Sequence, residues 1–261
     1  MLISDIIAAI EQEAPLSLQE SYDNAGMQVG DKSALCTGVL LCVDVTPSVI
    51  DEAIERDCNL VVSHHPLIFR GLKHITGATP QELAIIKAIT AGVAVYSAHT
   101  NLDSASRGVN YTLARRLGIA KPSPLECPDP ANPGIGLGAV GDLELPLTPM
   151  KLIERVKLVC QSPITRCSAL PCSMITRIAL CGGSGASLIN AAIAHKAQAF
   201  VTSDVKYHDF VDYSDRLLII DIGHYESEMC TKHIFYHILS GKFHNFAVNY
   251  SETEKNPINY L

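Results

Sequence analysis

Two adjacent histidines, His64 and His65, end the apolar run in VSHHPLIF (residues 62–69). Neighbouring side chains of a regular strand point to opposite faces, so both imidazoles can serve one site only if the strand stops there. Pro66 favours such a stop, because proline donates no backbone hydrogen bond and restricts the residue before it. Neutral imidazole binds zinc, iron, nickel and cobalt. The pair therefore predicts two nitrogen ligands, one for each of two ions.

A second pair of candidate ligands, His224 and Glu228, is spaced four residues apart in GHYESE (223–228). On a helix this spacing places both side chains on one face. Asp103, in TNLDSAS, follows another strand-like run, and a carboxylate can bind one ion or bridge two. With the two adjacent histidines these make five ligands, which leaves open positions for water on two divalent ions. The metal itself is left open among zinc, iron, manganese, nickel and cobalt.

Each motif alone also has a structural explanation. The histidine pair can lie on the surface, the His224–Glu228 spacing can mark a solvated helix face, and Asp103 can be a helix N-cap. The glycine-rich CGGSG (181–185) can cradle a phosphate or form a tight turn. The metal hypothesis rests on the combination of these residues at corresponding strand ends.

Other polar residues near these positions can act on a substrate. His99, His208 and Asp204 are candidates for general acid or base, because each follows or lies close to a predicted strand end. Asp23 and Asn24, in the N-terminal segment SYDNAG, are candidates for the rim of the pocket.

Strand-like and helix-like segments alternate twice along the chain, in the order strand, helix, strand, helix, strand, helix. In the first half the pattern predicts strands at 39–45, 59–65 and 94–103, where the last strand runs into a loop, and helices at 47–58, 80–93 and 104–118. In the second half it predicts strands at 177–183, 198–204 and 216–224, with helices at 184–197, 207–215 and 225–241. Such alternation is typical of parallel βαβ units.

The fold class predicted is therefore α/β, with two similar lobes from a duplicated βαβ-type layout. The Pro- and Gly-rich stretch 121–146 separates the halves, and we predict lobes at 1–125 and 126–261 within one compact domain. Open α/β sheets bind ligands beyond the carboxyl ends of their strands. The candidate ligands follow those ends in both halves.

The composition excludes several classes of protein. The chain has 261 residues, of which 48% are hydrophobic and 18% charged, and its net charge is -7. An acidic chain without a basic run is poorly suited to binding nucleic acid. We expect no membrane span, and the first 15 residues predict a short amphipathic helix rather than a signal peptide. The nine cysteines include no CxxC pair, which favours free thiols and a cytoplasmic protein.

Five segments, in their order along the chain, resemble a known family. They are SYDNAGMQVG (21–30), VSHHPLIF (62–69), SAHTNLD (97–103), TSDVKYHD (202–209) and DIGHYESE (221–228). Together they resemble the YbgI-like, or NIF-three-like, dinuclear metal-centre family, whose members carry the name GTP cyclohydrolase 1 type 2 homologue. The resemblance spans nearly the whole chain.

The resemblance implies roles for individual residues. His64, His65, Asp103, His224 and Glu228 match the five metal-ligand positions of the family, and His99 matches a further histidine of its site. It also implies two α/β lobes with the metal site between them, and a toroidal homohexamer. Residues 121–146 leave no room for the large domain that some relatives insert.

We therefore predict a metal-dependent hydrolase that acts on a small molecule, for which a nucleotide-like compound is a candidate. GTP ring opening and attack on another purine-like or phosphate-bearing substrate are both compatible with these residues. The alternative is a protein without enzymatic activity that holds or delivers metal ions. The extra acid and base candidates favour catalysis.

Overall fold

A computed structural model describes residues 1–171 and 173–260 of the chain. It divides into two compact units. Unit 1 consists of Met1–Leu102 and Thr231–Lys255, and unit 2 consists of Asp103–Cys230 and the residues from Asn256 onward. Across the described residues, each unit contains one five-stranded sheet.

Unit 1 is built on three central parallel strands. Their residues are all buried, as expected for strands that are covered on both faces. The elements are α1 (Ile3–Glu13), β1 (Gly26–Val29), β2 (Val39–Cys42), α2 (Pro47–Glu55), β3 (Leu60–Ser63), α3 (Pro80–Ala91), β4 (Ala94–Ser97), α4 (Thr100–Ser104), α10 (Cys230–Lys242) and β10 (Val248–Tyr250). The last two residues of α4 and the first residue of α10 belong to unit 2. The sheet order is β1-β4-β3-β2-β10, with β1 antiparallel at one edge and β10 parallel at the other.

The crossover helices of unit 1 begin at a repeated local signal. Both α2 and α3 start with a threonine followed by proline, and the threonine side chain accepts a hydrogen bond from the third backbone N–H of the helix. Proline fits the first helical position because its missing N–H would have no partner inside the helix. Helix α3 ends at Gly92, whose φ of 68° is left-handed. Helix α2 connects β2 to β3, and α3 connects β3 to β4, so each returns the chain to the start of the next parallel strand.

Unit 2 repeats the central plan with different edges. The elements are α5 (Val109–Arg116), β5 (Ala139–Leu147), α6 (Pro149–Cys160), β6 (Arg166–Cys167), β7 (Ile175–Ser184), α7 (Ile189–Ala194), β8 (Ala199–Ser203), α8 (Tyr207–Tyr213), β9 (Leu218–Asp221) and α9 (His224–Glu228). The sheet order is β5-β7-β8-β9-β6, in which β7, β8 and β9 are parallel and both edge strands are antiparallel.

The predicted α/β class is confirmed, although the sheets are mixed rather than wholly parallel. Four local predictions need correction. The segment after β4 forms α4 instead of a loop, and the helix predicted at 104–118 begins only at Val109. The helix predicted at 184–197 begins only at Ile189, and the helix predicted at 225–241 is divided at Met229 into α9 and α10. The N-terminal amphipathic helix forms as α1. Within the described residues, no helix combines the length and apolar character that a membrane crossing requires.

Candidate metal centre

Three imidazoles lie close together at the carboxyl ends of two central strands of unit 1. Strand β3 ends at Ser63, so His64 and His65 lie just beyond it, and His99 lies just beyond β4. The ring centroids of His64 are 5.1 Å from His65 and 5.2 Å from His99, and those of His65 and His99 are 5.5 Å apart. One ring nitrogen from each of the three lies within 4.8 Å of the others, so the group could hold a metal ion. The strand end at the histidine pair makes this convergence possible.

The Nδ1 atom of each of these imidazoles faces an oxygen acceptor. His64 Nδ1 is 3.0 Å from the carbonyl oxygen of Ala98, and His65 Nδ1 is 2.8 Å from Oδ1 of Asp44. A carbonyl oxygen only accepts, so Nδ1 of His64 carries its proton, and the carboxylate favours the same tautomer in His65. Nε2 then keeps the lone pair that a metal requires. Histidine ligands of metals are held in this way by a carbonyl or a carboxylate.

Asp44 is itself fixed by a buried carboxylate. Glu254 Oε1 accepts hydrogen bonds from the backbone N–H groups of Val43 and Asp44, each at 2.6 Å, and Glu254 Oε2 is 2.7 Å from Nζ of Lys232. The segment after β10 therefore holds the turn that follows β2. Neither Asp44 nor Glu254 was identified from the sequence, because Asp44 was assigned to the strand predicted at 39–45.

His99 has a carboxylate partner of its own, which sequence reasoning placed only at the pocket rim. Asp23 Oδ1 is 2.8 Å from His99 Nδ1, and Asp23 Oδ2 accepts from the backbone N–H and the hydroxyl of Thr100. Burial alone would raise the pKa of Asp23, but the hydrogen bonds from His99 and Thr100 outweigh it and lower the pKa to about 2. The Asn101 side chain accepts from the His99 backbone N–H at 2.9 Å and donates to the carbonyl of Ala14 at 2.7 Å.

In unit 2, one imidazole and one carboxylate lie together on α9. His224 Nε2 is 3.0 Å from Oε2 of Glu228, and His224 Nδ1 is 2.6 Å from Oδ2 of Asp204. The four-residue spacing thus produces the shared helix face that the sequence predicted. Glu228 is 3% exposed, so its charge lies in a poorly solvated environment that favours a nearby cation.

The glycine-rich end of β7 makes room for the Glu228 carboxylate. Gly183 has φ +63°, and a Cβ at this position would lie 2.1 Å from Oε1 of Glu228. Its N–H donates to Oγ of Ser227 at 2.7 Å. The CGGSG segment was predicted as a phosphate cradle or a tight turn, but its first four residues belong to β7, whose register with β8 shifts between Leu180 and Ser184. This irregular strand end accommodates a candidate ligand.

Asp103 lies in α4 and is 6% exposed. Its carbonyl oxygen accepts from Nδ2 of Asn110 at 3.1 Å, and Oδ1 of the same asparagine accepts from the N–H of Gly182 at 2.9 Å. Asn110 thus connects the backbone of Asp103 to Gly182, in the glycine-rich end of β7. A buried asparagine that bridges two backbone segments is not recognisable from local sequence.

The remaining acid and base candidates occupy different settings. Asp204 follows β8 with a left-handed φ of 56° and holds His224 through its carboxylate. His208 lies on the exposed α8, with its ring 5.3 Å from that of Tyr207. Asp221, at the end of β9, pairs with Arg166 and accepts from the N–H groups of Val205 and Gly223. Asp221 therefore stabilises the loops beside the candidate ligands.

The buried cysteines are poor candidates for thiolate chemistry. Burial raises the pKa of Cys42 and Cys181 well above the usual range, and it raises the pKa values of Cys160 and Cys230 to about 12. These four thiols stay protonated near neutral pH. All cysteines among the described residues are free, and Cys172 lies outside them. The donor set that the structure offers is nitrogen and oxygen.

Comparisons with known proteins agree with the fold and with the motifs. Residues 1–257 match the family model described as Duf34/NIF3 (NGG1p interacting factor 3). A relative from Clostridium acetobutylicum, named GTP cyclohydrolase 1 type 2 homolog, is 35% identical over 248 residues, covering 95% of this chain and 92% of the relative. The crystal structure of the Staphylococcus aureus hypothetical protein SA1388 has a TM-score of 0.92 at 29% identity and covers 100% of this chain and 99% of its own.

A further solved structure, of the protein ybgI, has a TM-score of 0.85 and covers 99% of this chain and 100% of its own. Its identity is 21%, so this likeness bears on the fold alone. Together the matches confirm the resemblance that the five sequence segments carry.

Proposed function

Because the chain belongs to the Duf34/NIF3 family, we propose that it is a metal-dependent hydrolase with two divalent ions at its centre. The proposed ligands are those that the sequence predicted: His64, His65, Asp103, His224 and Glu228. The observation that carries the proposal is the common support of the imidazoles. His64, His65 and His224 each direct Nδ1 at a carbonyl or carboxylate oxygen, which leaves Nε2 for a metal.

Two divalent ions held together supply Lewis acidity and lower the pKa of water, which is the chemistry that hydrolysis at neutral pH needs. The protein residues orient the ligands, exclude solvent and move protons. His99 is the proposed acid or base, because its side chain is 17% exposed and its ring adjoins those of both adjacent histidines. Asp204 orients His224, and His208, on the exposed α8, is a second candidate for proton transfer.

The substrate that we propose is a small nucleotide-like or phosphate-bearing molecule. The C. acetobutylicum relative carries the name GTP cyclohydrolase 1 type 2 homolog, which points to a purine nucleotide. A reducing, cytoplasmic setting fits the free buried thiols.

The test of the centre is elemental analysis of protein that has been purified without chelators. We expect two metal ions per chain, and Glu228→Gln should reduce occupancy of both if Glu228 bridges them. Glu154→Gln, which makes the same change on the exposed face of α6, is the matched control and should keep both ions. Saturation at one ion per chain would overturn the dinuclear proposal, and loss of a single ion in Glu228→Gln would make Glu228 a terminal ligand.

The test of the activity is a turnover screen of metal-loaded protein against nucleotides, phosphoesters and cyclic amides. A hydrolase should release product with at least one of these classes, and the product should disappear after chelation. A protein that only stores or delivers metal would exchange its ions with a chelator and turn over none of them.

We further propose that the chain forms a homohexameric ring, as the family resemblance implies. Light scattering over micromolar concentrations should give six times the mass of the chain. A monomer mass across that range would overturn this proposal without bearing on the metal centre.

A further inference from the structure

Asp23 is a buried carboxylate that accepts most of its hydrogen bonds from His99 and Thr100. Its side chain is 0% exposed. Oδ1 lies 2.8 Å from Nδ1 of His99 and accepts from the N–H of Asn24 at 2.7 Å, while Oδ2 accepts from the N–H of Thr100 at 3.0 Å. The Thr100 hydroxyl donates to the same Oδ2. Four donors around one carboxylate favour its charged form.

The surroundings of His99 fix its ring from several sides. The ring is 5.9 Å from that of Phe69 in an edge-to-face arrangement, and it lies beside His64 and His65. Its backbone N–H is bound by Asn101. An imidazole that is held in this way, with Nδ1 bound to a carboxylate, presents Nε2 with a lone pair.

We propose that Asp23 is a positioning residue that fixes the tautomer and the orientation of His99, so that Nε2 of His99 accepts the proton of the attacking water. The water oxygen forms a bond to the electrophilic atom of the substrate while the bond from that atom to the leaving group breaks. The leaving group departs with the electron pair of that bond, and Nε2 passes the proton to it. The inference rests on the proposed hydrolase function. Asp23 touches neither substrate nor metal in this proposal and acts only through His99. The arrangement corresponds to a base that is oriented by a third group, as in other acid–base sites.

The substitution Asp23→Asn separates tautomer control from simple packing. Oδ2 accepts two hydrogen bonds from Thr100, whereas Oδ1 accepts one from the backbone N–H of Asn24 besides its contact with the imidazole. We therefore expect the amide oxygen of asparagine to take the place of Oδ2. The amide nitrogen then faces Nδ1 of His99 and donates to it, which moves the imidazole proton to Nε2. The shape of the side chain is nearly unchanged while the base is blocked.

Magic-angle-spinning ¹⁵N spectra of metal-free protein labelled in histidine read the tautomer directly at any assembly size. The signals of His99 are identified by their loss in His99→Gln. We expect Nε2 of His99 to be unprotonated in the parent protein and protonated in Asp23→Asn. Asp51→Asn makes the same chemical change at a surface pair with Lys87 and should leave the His99 signals unchanged. An Asp23→Asn spectrum with the parent tautomer would overturn the proposal.

Turnover gives the second readout, with bis(4-nitrophenyl) phosphate as the probe. Asp23→Asn should retain both metal ions and lose about 100-fold or more in kcat, which is the scale of a misdirected general base. Loss of a metal ion in either Asp23→Asn or His99→Gln would make His99 a ligand and overturn the base role. A parent protein that is loaded with metal but inactive on the probe and on the screened substrates would overturn the hydrolase function itself. This result comes from the parent protein alone, so it is distinguishable from a failure of the Asp23 proposal.

A double substitution tests whether Asp23 acts through His99. The glutamine of His99→Gln can still donate to Asp23, so this variant should fold while lacking the base. Adding Asp23→Asn to it should cause no further loss of kcat, because the effects of residues that act as one unit do not add. A further fall of tenfold or more would show that Asp23 serves the site independently, and would overturn the positioning role.

Discussion

At the carboxyl ends of β3 and β4, unit 1 presents three imidazoles, whereas unit 2 presents His224 together with the buried carboxylate of Glu228 on α9. In both units, three adjacent parallel strands joined by helices place these side chains beyond the carboxyl ends of the strands. The same residue types have different positions in the two. Asp44 and Asp23 face the Nδ1 atoms of imidazoles in unit 1, while Glu228 faces Nε2 in unit 2.

The difference shows how one topology can present two kinds of candidate donor. In unit 1 the carboxylates face Nδ1 of the imidazoles, on the side of each ring away from Nε2. In unit 2 a carboxylate faces Nε2 itself, and a second one, Asp204, faces Nδ1 of the same ring. Nitrogen donors favour metals such as zinc and iron, while carboxylates can bridge two ions. The following predictions test whether the two kinds of donor are needed and how each is supported.

The largest effect is expected at Gly183, in the glycine-rich end of β7. Gly183→Ala places a methyl group 2.1 Å from Oε1 of Glu228 at a left-handed backbone position, so the carboxylate or the strand end must move. We expect roughly a 100-fold or greater fall in metal affinity, measured by competition with a chromophoric chelator.

Gly92→Ala is the control for this substitution. Its φ of +68° is similarly left-handed, but nothing lies within 4 Å of the added Cβ. It should cost about 1 kcal/mol of stability through backbone strain and leave metal affinity unchanged. Equal metal affinity in the two variants would contradict the role of Gly183 in accommodating Glu228.

The next effect compares the carboxylates that support an imidazole in each unit. Asp44→Asn and Asp204→Asn keep the size of the side chain but remove the charge that holds Nδ1–H of His65 and His224. Asparagine tolerates the left-handed φ of Asp204, so no new strain is expected there. Each variant should lose roughly 10- to 100-fold in metal affinity in the same competition assay, and Asp51→Asn should lose none. Unchanged affinity in both would mean that the imidazoles need no anionic support.

A smaller effect concerns the edge strand of unit 1. Glu52, in α2, accepts hydrogen bonds from Ser251, Glu252 and Thr253, which follow β10. Burial alone would raise the pKa of Glu52, but these hydrogen bonds lower it from 4.5 to about 2. Because the folded-state pKa is depressed, the stabilisation is complete above about pH 4.5 and is lost as the pH falls towards 2.

Glu52→Gln should therefore lower the free energy of unfolding by about 2 kcal/mol at neutral pH, with the difference narrowing between pH 4.5 and 2. Chemical denaturation at several pH values measures it. Glu55→Gln, on the exposed side of the same helix, should have little effect. A destabilisation that does not vary with pH would show that the charge of Glu52 is unimportant.

The smallest effect is the low reactivity of one buried strand cysteine in each unit, compared with the exposed cysteines. Cys42 ends β2 and Cys181 lies in β7, each the first of the three central strands along the chain of its unit, and both are buried. Iodoacetamide near neutral pH should label the exposed Cys127 and Cys167 and leave the two strand cysteines unlabelled until denaturant is added. Mass spectrometry of the peptides measures this, and early labelling of either strand cysteine would reveal local opening of that sheet.

The elements that the sequence predicted best carry strong local signals. The central strands are short apolar runs, and α2 and α3 begin at a threonine–proline pair. The same pair, Thr148–Pro149, starts α6, so this helix was within reach of the sequence although it was not predicted. Strand β10 has three residues of intermediate burial and is paired through a distant contact, which leaves no local pattern to detect.

The candidate ligands were found from the sequence because they follow predicted strands or share a helix face. Their supports were either missed or given another role. Asp44 and Asn110 were not identified, whereas Asp204 was predicted as an acid or base and Asp23 as part of the pocket rim. Asp23 and His99 are 76 positions apart, and Asn110 connects two segments through a single side chain. Hydrogen bonds of this kind depend on tertiary geometry, whereas strand ends and helical spacing are local properties of the chain.

The pairing of β10 with β2 has a consequence for the order in which the molecule is made. Val43 and Glu254, which this pairing brings together, are separated by 211 positions. A ribosome therefore has to add 211 residues after Val43 before the turn that bears Asp44 can be supported, and closing so long a loop slows folding. Strands β5 to β9 of unit 2 lie entirely within that interval. A nascent chain can therefore pair the strands of the unit 2 sheet before the sheet of unit 1 gains β10 and before Asp44 gains its support.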